Sequence, residues 1–116
     1  WHKTLLGTGT DKDKFEKFYR ALIHRLQKNS IQVVICTPTL IGEKTDGSNK
    51  FDTMLEEYST ISRAVAKDTK SQLLDLRQEF MDHLKKANTS NKDNNTLKIH
   101  WFRISLCRTH CKKHIQ

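Results

Sequence analysis

Two short runs of aliphatic and β-branched residues, 31–37 and 72–76, lie between three longer segments with amphipathic helical spacing. The runs are short and β-prone, so each predicts a buried strand. The resulting order is helix, strand, helix, strand, helix, which is typical of parallel strands covered by helices. The alternation therefore predicts an α/β fold.

Apolar residues recur at three- and four-residue spacing in each predicted helix. The first helix is expected over roughly residues 11–28, with Thr10 as its cap. The second is expected to be capped by Asn49 and to end at about Lys67, and a third, shorter helix to end near Lys85. The predicted apolar faces consist of Phe15, Phe18, Tyr19, Leu22, Ile23 and Leu26, then of Phe51, Met54, Leu55, Tyr58, Ile61, Ala64 and Val65, and then of Phe80, Met81 and Leu84.

The length and composition allow one small domain with one modest core, because the chain has 116 residues of which 35% are hydrophobic. No run of about 18 apolar residues predicts a membrane-spanning helix. No charged-then-apolar leader is visible, so no signal peptide is expected. Three cysteines, four glycines and one proline exclude disulfide-scaffold and collagen-like classes.

The charge changes abruptly near residue 96. The whole chain carries a formal charge of +8, and residues 97–116 contain five basic side chains and no acidic one. We therefore predict a domain over residues 1–96 and a divergent basic tail over 97–116. Residues 86–96 are polar and rich in asparagine, which predicts an exposed loop or linker.

In open parallel sheets, ligands bind beyond the carboxyl ends of the strands. Here those ends are Thr37-Pro38 and Asp75-Leu76, so the loop at 38–49 is the predicted position of a site. Glu43, in that loop, and Asp75, at the end of the second strand, are a candidate carboxylate pair for acid–base work. The favoured interpretation is that they cap loops or pair with Arg77 and with lysines.

Two further residues have a structural interpretation. His24 falls beside the apolar face of the first helix and is expected at its boundary. Cys36, inside the first strand, is expected to be a buried core thiol, which favours a reducing, intracellular compartment.

Several segments between Trp1 and about Leu97 have a recognisable order and spacing. They are Thr8-Gly9-Thr10, Phe15-Glu16-Lys17-Phe18-Tyr19-Arg20, Ile31-Gln32-Val33-Val34-Ile35-Cys36-Thr37-Pro38-Thr39, Ile41-Gly42-Glu43, Tyr58, Val65-Ala66-Lys67, and Leu74-Asp75-Leu76-Arg77 with Phe80. In these segments the chain resembles the SGNH hydrolases, also called GDSL lipases and esterases. The resemblance implies a partial three-layer α/β/α domain, flavodoxin-like, with parallel strands.

The resemblance also implies hydrolysis of small esters without a cofactor, through a serine nucleophile, a histidine base and an orienting aspartate. The family carries these groups in Gly-Asp-Ser and Asp-x-x-His segments, and an oxyanion-binding asparagine in Gly-x-Asn-Asp. None of the three segments occurs in this chain. His100 lies near the expected position of the base, but its surroundings do not match the family. The expectation is a fragment that begins just past Gly-x-Asn-Asp and is inactive as a serine esterase, with a tail from a shifted reading frame or an alternative exon.

The tail suggests other functions. Zinc-ligand residue types recur three or four residues apart and would share one face of a helix, although their spacing is not a common structural pattern. These weak metal candidates are Cys107, His110, Cys111 and His114. The basic residues beside Trp101 and Phe102 suggest binding to nucleic acid or an anionic surface, although nucleic acid is the less expected partner.

A last alternative is a non-catalytic partner of an intact hydrolase. Exposed sheet edges can pair with another chain. They would also allow self-association.

Overall fold

The computed structural model describes residues 6–92 of the 116-residue chain. Within that range the chain forms three α-helices and two β-strands in alternating order. They are α1 (Lys12–Lys28), β1 (Val34–Cys36), α2 (Asp52–Asp68), β2 (Gln72–Leu74) and α3 (Leu76–Ala87).

The two strands pair in parallel, with Val34 opposite Gln72 and Cys36 opposite Leu74. Parallel strands require a crossover connection, and α2 supplies it. This arrangement confirms the predicted α/β class with parallel strands. Among the described residues, no helix is both long enough and apolar enough to cross a membrane.

The main core lies between the sheet and the first two helices. Ile35 of β1 is 1% exposed and packs against Ile23 of α1 and Val65 of α2. Ala66, Tyr19, Val33 and Ile61 complete this cluster. The predicted helical spacing is responsible for the cluster, because residues three and four apart place side chains on one helix face.

A second, smaller core forms between α3 and the loop that follows β1. Phe80 and Leu84 of α3 pack against Leu40 of that loop. Leu76 and Met81 lie partly buried beside them. The loop is therefore held to α3 by apolar contacts as well as by the polar contacts described below.

The helices agree closely with the predicted ones, but the strands are shorter than predicted. Within residues 6–92, only 34–36 and 72–74 have strand geometry, and Ile31 is exposed. The predicted cap residues are also wrong, because Asp11 and Phe51 occupy the cap positions of α1 and α2. The Thr10 carbonyl instead accepts a hydrogen bond from the Tyr58 hydroxyl.

Three burial predictions need correction. Cys36 is exposed, because alternate residues of a strand point to opposite faces and Ile35 takes the core position. Phe18 and Leu22 belong to the predicted apolar stripe but are 66% and 54% exposed. Asn88 falls in the predicted exposed loop but is buried.

Candidate functional site

The carboxyl ends of the two strands lie side by side, as the sequence predicts. Thr37 follows β1, and its amide nitrogen donates to the Leu74 carbonyl oxygen at 3.2 Å. Asp75 follows β2 and occupies the cap position of α3. The parallel pairing therefore brings Thr37 and Asp75 together at the sheet edge where α/β folds place their ligands.

Asp75 is a structural carboxylate at this edge. Its Oδ1 accepts from the Thr37 hydroxyl at 2.9 Å and from the amide of Gln78 at 3.2 Å. The Thr37 hydroxyl oxygen in turn accepts from the amide of Arg77 at 3.0 Å. The predicted capping role of Asp75 is thus confirmed, and the two capping oxygens join the start of α3 to the end of β1.

A chain of ion pairs extends from Asp75 to α2. The Arg63 Nε lies 2.6 Å from Asp75 Oδ2, and Arg63 Nη1 lies 2.7 Å from Glu56 Oε1. The other oxygen of Glu56 accepts from Arg77 Nε at 2.7 Å. Arg77 and lysines are the partners that the sequence predicts for Glu43 and Asp75, but Arg63 pairs with Asp75 and Arg77 bonds to α2 instead. We call Asp52, Glu56, Arg63, Asp75 and Arg77 the arginine–carboxylate network.

The network changes the ionisation of its carboxyl groups. Burial raises the pKa of Asp75, but hydrogen bonds from Arg63, Thr37 and the Gln78 amide outweigh burial and hold it below its usual value. Hydrogen bonding from Arg77 likewise lowers the pKa of Glu56. The hydrogen bond to Asp75 is the main cause that raises the pKa of Arg63. These groups therefore stay charged around neutral pH, which suits a structural network better than proton transfer.

Arg77 is the most buried member of the network, at 5% exposure. Its Nη2 donates to the Asp52 carbonyl oxygen at 3.2 Å and lies 3.5 Å from Asp52 Oδ1. Its Nη1 is buried and has no hydrogen-bond partner within residues 6–92. The guanidinium thus joins α3 to the first turn of α2 across the end of the sheet, and its Nη1 group is left without a partner among the described residues.

Three asparagines hold the loop between β1 and α2, and we call Asn49, Asn88 and Asn91 the asparagine cluster. Asn49 pairs with both backbone groups of Lys44, accepting at 3.1 Å and donating at 2.8 Å. Asn88 donates to the Glu43 carbonyl oxygen at 2.7 Å. Because the backbone of 43–45, buried at Glu43 and half-buried at Lys44 and Thr45, needs polar partners, these amides fix its path.

Asn91, four residues after the end of α3, completes the cluster. Its side-chain oxygen accepts from the Thr45 amide at 2.7 Å, and its Nδ2 donates to Asp46 at 2.7 Å. Hydrogen bonds from Ser48 and then from Asn91 lower the pKa of Asp46 to about 2. The loop predicted to shape a site is therefore ordered by residues that lie more than 40 positions away in sequence.

Gly42 permits the close approach of Asn49. Its φ is +101°, and a Cβ there would clash with the Asn49 side chain. Any other residue would be strained in this conformation and would displace the amide that holds Lys44.

The structure does not assemble a hydrolytic triad from Ser59, Ser62, His24, Glu43 and Asp75. The hydroxyl groups of Ser59 and Ser62 are buried and donate to the carbonyl oxygens of Leu55 and Tyr58 within α2. His24 is exposed on α1. Glu43 is buried in the loop, whereas the Asp75 carboxylate accepts a hydrogen bond from Arg63. The structure therefore gives the two carboxylates different surroundings.

Other sequence candidates lie outside the described residues. His100 and the proposed metal ligands Cys107, His110, Cys111 and His114 all fall beyond residue 92. Within residues 6–92, no three His, Cys, Asp or Glu side chains are grouped so that they could hold a metal ion.

Sequence reasoning missed part of the network. It did not single out Asp52, Glu56 and Arg63, although their spacing is a usable signal. Asp52 and Glu56 are four apart and Arg63 is seven further on, which places all three near one face of the predicted second helix. The spacing does not predict that Arg77 contacts Glu56 and Asp52, because this contact depends on how α3 packs beside α2.

This chain is similar to an acetyl xylan esterase, AlAXEase, whose crystal structure matches it with a TM-score of 0.77. The two sequences are 53% identical over a match that covers 80% of this chain. The same match covers 47% of AlAXEase, so this chain spans slightly less than half the length of that protein. No protein-family model matches this chain, and no curated protein sequence matches it.

Proposed function

We infer that this chain, which is similar in sequence and fold to part of an SGNH/GDSL-type esterase, forms the non-nucleophilic part of an ester-hydrolysing domain. The predicted resemblance to the SGNH hydrolases is confirmed by the 53% identity and the TM-score of 0.77. At that identity a shared fold and a shared type of site are the ordinary expectation, and this single match carries the proposal.

The proposed role is to build one wall of the active-site edge. The strand ends at Thr37 and Asp75 lie at the edge where such folds bind ligands. The arginine–carboxylate network holds these ends together, and the asparagine cluster holds the neighbouring loop in one conformation. A fixed loop beside the strand ends gives a substrate a preorganised surface.

We propose that these 116 residues do not hydrolyse esters by themselves. Their sequence contains no Gly-Asp-Ser, Gly-x-Asn-Asp or Asp-x-x-His segment, so the nucleophile, the oxyanion donor and the base that the family uses are missing. Two of the serines, Ser59 and Ser62, are buried within α2 and donate to its backbone. A serine without a base within hydrogen-bond reach is a weak nucleophile near neutral pH.

The proposed substrate class of the complete site is a short acyl ester on a carbohydrate. Its support is the activity named for AlAXEase, an acetyl xylan esterase.

The test is hydrolysis of 4-nitrophenyl acetate by the purified chain, together with labelling by a fluorophosphonate probe. We expect no turnover above the buffer rate and no labelled serine. AlAXEase measured in parallel provides the positive control for both assays. Stoichiometric labelling of one serine, with turnover that Ser→Ala replacement abolishes, would contradict the proposed inactivity.

A further inference from the structure

The side chain of Asp52 lies between the arginine–carboxylate network and the asparagine cluster. It belongs to the first turn of α2 and is 5% exposed. Its Oδ1 lies 3.5 Å from Arg77 Nη2, and its Oδ2 accepts two hydrogen bonds from Asn49. We propose that Asp52 is a positioning residue of the ester site, where it fixes the 43–49 loop relative to the strand ends, an inference that rests on the proposed function.

The contact between Asp52 and the loop sets the orientation of the Asn49 amide. The backbone nitrogen of Asn49 lies 3.1 Å from Asp52 Oδ2, and Asn49 Nδ2 lies 2.8 Å from the same oxygen. A carboxylate only accepts hydrogen bonds, so Asp52 requires the Nδ2 end of the amide and leaves Asn49 Oδ1 free for another donor. That donor is the Lys44 backbone nitrogen at 3.1 Å, while Nδ2 also donates to the Lys44 carbonyl oxygen at 2.8 Å. The carboxylate thus acts on Lys44 through Asn49.

Arg77 connects Asp52 to the strand ends. The Arg77 Nη2 donates to the Asp52 carbonyl oxygen at 3.2 Å, beside its contact with the carboxylate. The backbone nitrogen of Arg77 donates to the Thr37 hydroxyl, which donates in turn to Asp75. The end of β1, the start of α3 and the start of α2 therefore share one continuous set of polar contacts. Asp52 extends that set to the loop.

Burial makes the two sides of Asp52 depend on each other. A buried carboxylate without its partners is costly, because the interior replaces the solvation that water would give. If Asn49 moves away, Oδ2 loses two donors, and if Arg77 moves away, Oδ1 loses its nearby cation. Each partner thus stabilises the arrangement that the other also requires, which is a coupling free energy between the loop and the strand ends.

The loop lies where this coupling would affect a substrate. It follows the end of β1 and belongs to the wall proposed above for the ester site. A loop that is free to adopt several conformations must be ordered when a substrate binds, and this ordering weakens affinity. The proposed function assigns the nucleophile and the base to polypeptide outside this chain. Loss of Asp52 should therefore raise KM more than it lowers kcat.

The first experiment is amide hydrogen exchange of the full 116-residue chain, followed by NMR at the Lys44 amide. Asp52→Ala should speed that exchange by about tenfold relative to the amides of Val65 and Ala66, which lie in α2 and report global unfolding. Asp52→Asn, which keeps the shape and one acceptor oxygen, should speed it less. Glu57→Ala removes an exposed carboxylate from the same helix and is the matched control, with no change expected. Equal Lys44 exchange in the wild type and Asp52→Ala would overturn the proposal.

A double-mutant cycle tests the coupling even if Asp52→Ala does not fold. Arg77→Lys should speed Lys44 exchange by about threefold, because the contacts of Arg77 lead to Lys44 through Asp52 and Asn49. In an Asn49→Ala background the same change should have no further effect. Additive effects, or no effect of Arg77→Lys on Lys44, would show that the loop and the strand ends are held independently and would overturn the proposal.

Kinetics test the positioning role in an assembled site. Residues 6–92 replace the matched part of AlAXEase, and hydrolysis of 4-nitrophenyl acetate is measured. We expect Asp52→Asn to raise KM by about threefold and to change kcat by less than about twofold, with no change in Glu57→Ala. An unchanged KM, or a loss of kcat at constant KM, would contradict the positioning role.

A chimera without activity would have a different meaning. It would contradict the proposed function, and the exchange experiments on the full chain would still decide whether Asp52 fixes the loop. Failure of the exchange experiments with an active chimera would overturn the role of Asp52 and leave the proposed function intact.

Discussion

At the scale of single residues, Arg77 is the side chain on which the strand-end edge most depends. It bonds Glu56 and Asp52 from a position that is only 5% exposed. Burying a guanidinium costs desolvation energy, which the carboxylate and carbonyl partners offset. Its Nη1 lacks a partner within the described residues, and a buried unmatched donor costs about 1–3 kcal/mol. The arginine is thus better explained by orientation of α2 and α3 than by net stability.

We expect Arg77→Ala to destabilise the chain by about 3–5 kcal/mol, the range found when one partner of a buried ion pair is removed. The carboxylate of Asp52 would remain buried without its cation. Urea unfolding followed by circular dichroism measures the loss. Arg25→Ala, on the exposed side of α1, is the control and should change stability by less than about 0.5 kcal/mol. Equal effects of the two changes would show that the buried network contributes little.

The lowered pKa of Asp75 predicts how the free energy of unfolding depends on pH. Because its pKa is lower in the folded than in the unfolded chain, its contribution is complete above the unfolded value of about 3.9 and is lost as the pH falls through the folded value. We therefore expect the stability difference between the wild type and Asp75→Asn to be largest near neutral pH and to shrink below about pH 4.

Urea unfolding at a series of pH values measures this difference. Asp82→Asn, on the exposed side of α3, controls for the loss of one negative charge. A wild-type to Asp75→Asn difference that stays constant down to pH 2 would contradict the assigned role of the Arg63–Asp75 pair.

At the scale of elements, the loop between β1 and α2 is held by α3 and the residues after it. Asn88 reaches the Glu43 carbonyl, and Asn91 reaches Thr45 and Asp46. The small core around Leu40 and Phe80 supports the same contact. Local sequence in the loop does not specify these bonds, because their donors lie on a different element.

Asn88→Ala should loosen this loop while leaving the helices intact. The Glu43 carbonyl would lose its buried donor, which costs about 1–3 kcal/mol and is felt locally. We expect faster amide exchange over 43–49 and faster tryptic cleavage at Lys44 or Lys50. Thr89→Ala, one position away and exposed, should leave both rates unchanged. Unchanged exchange in Asn88→Ala would mean that Asn49 and Asn91 hold the loop without Asn88.

At the scale of the whole molecule, the described helices, strands and both apolar clusters all lie between residues 12 and 87. The predicted division into a domain over 1–96 and a tail over 97–116 remains a prediction. It implies that the stability of the chain is carried by its first 96 residues, since both cores are contained there.

A chain that ends at residue 96 should therefore have the same free energy of unfolding in urea as the full chain, within about 0.5 kcal/mol. Removing the five basic residues of 97–116 should also weaken retention on a cation-exchange resin. A control that ends at residue 79 removes Phe80 and Leu84 and should lose the cooperative transition. A large drop in stability on removing 97–116 would show that the tail belongs to the domain.

The sequence by itself determined the order of the elements, the parallel arrangement and the esterase resemblance, because these follow from local spacing and from residue patterns along the chain. Helix α1 begins at Lys12, within one residue of its predicted start, because its bounds also follow from local spacing. Only the tertiary structure decided which side chains meet. Ile35 took the buried side of β1 and left Cys36 exposed, Arg63 rather than Arg77 paired with Asp75, and Asn88 became buried beneath the loop. These outcomes depend on distances between residues far apart in sequence, and such distances are set only when the helices pack on the sheet.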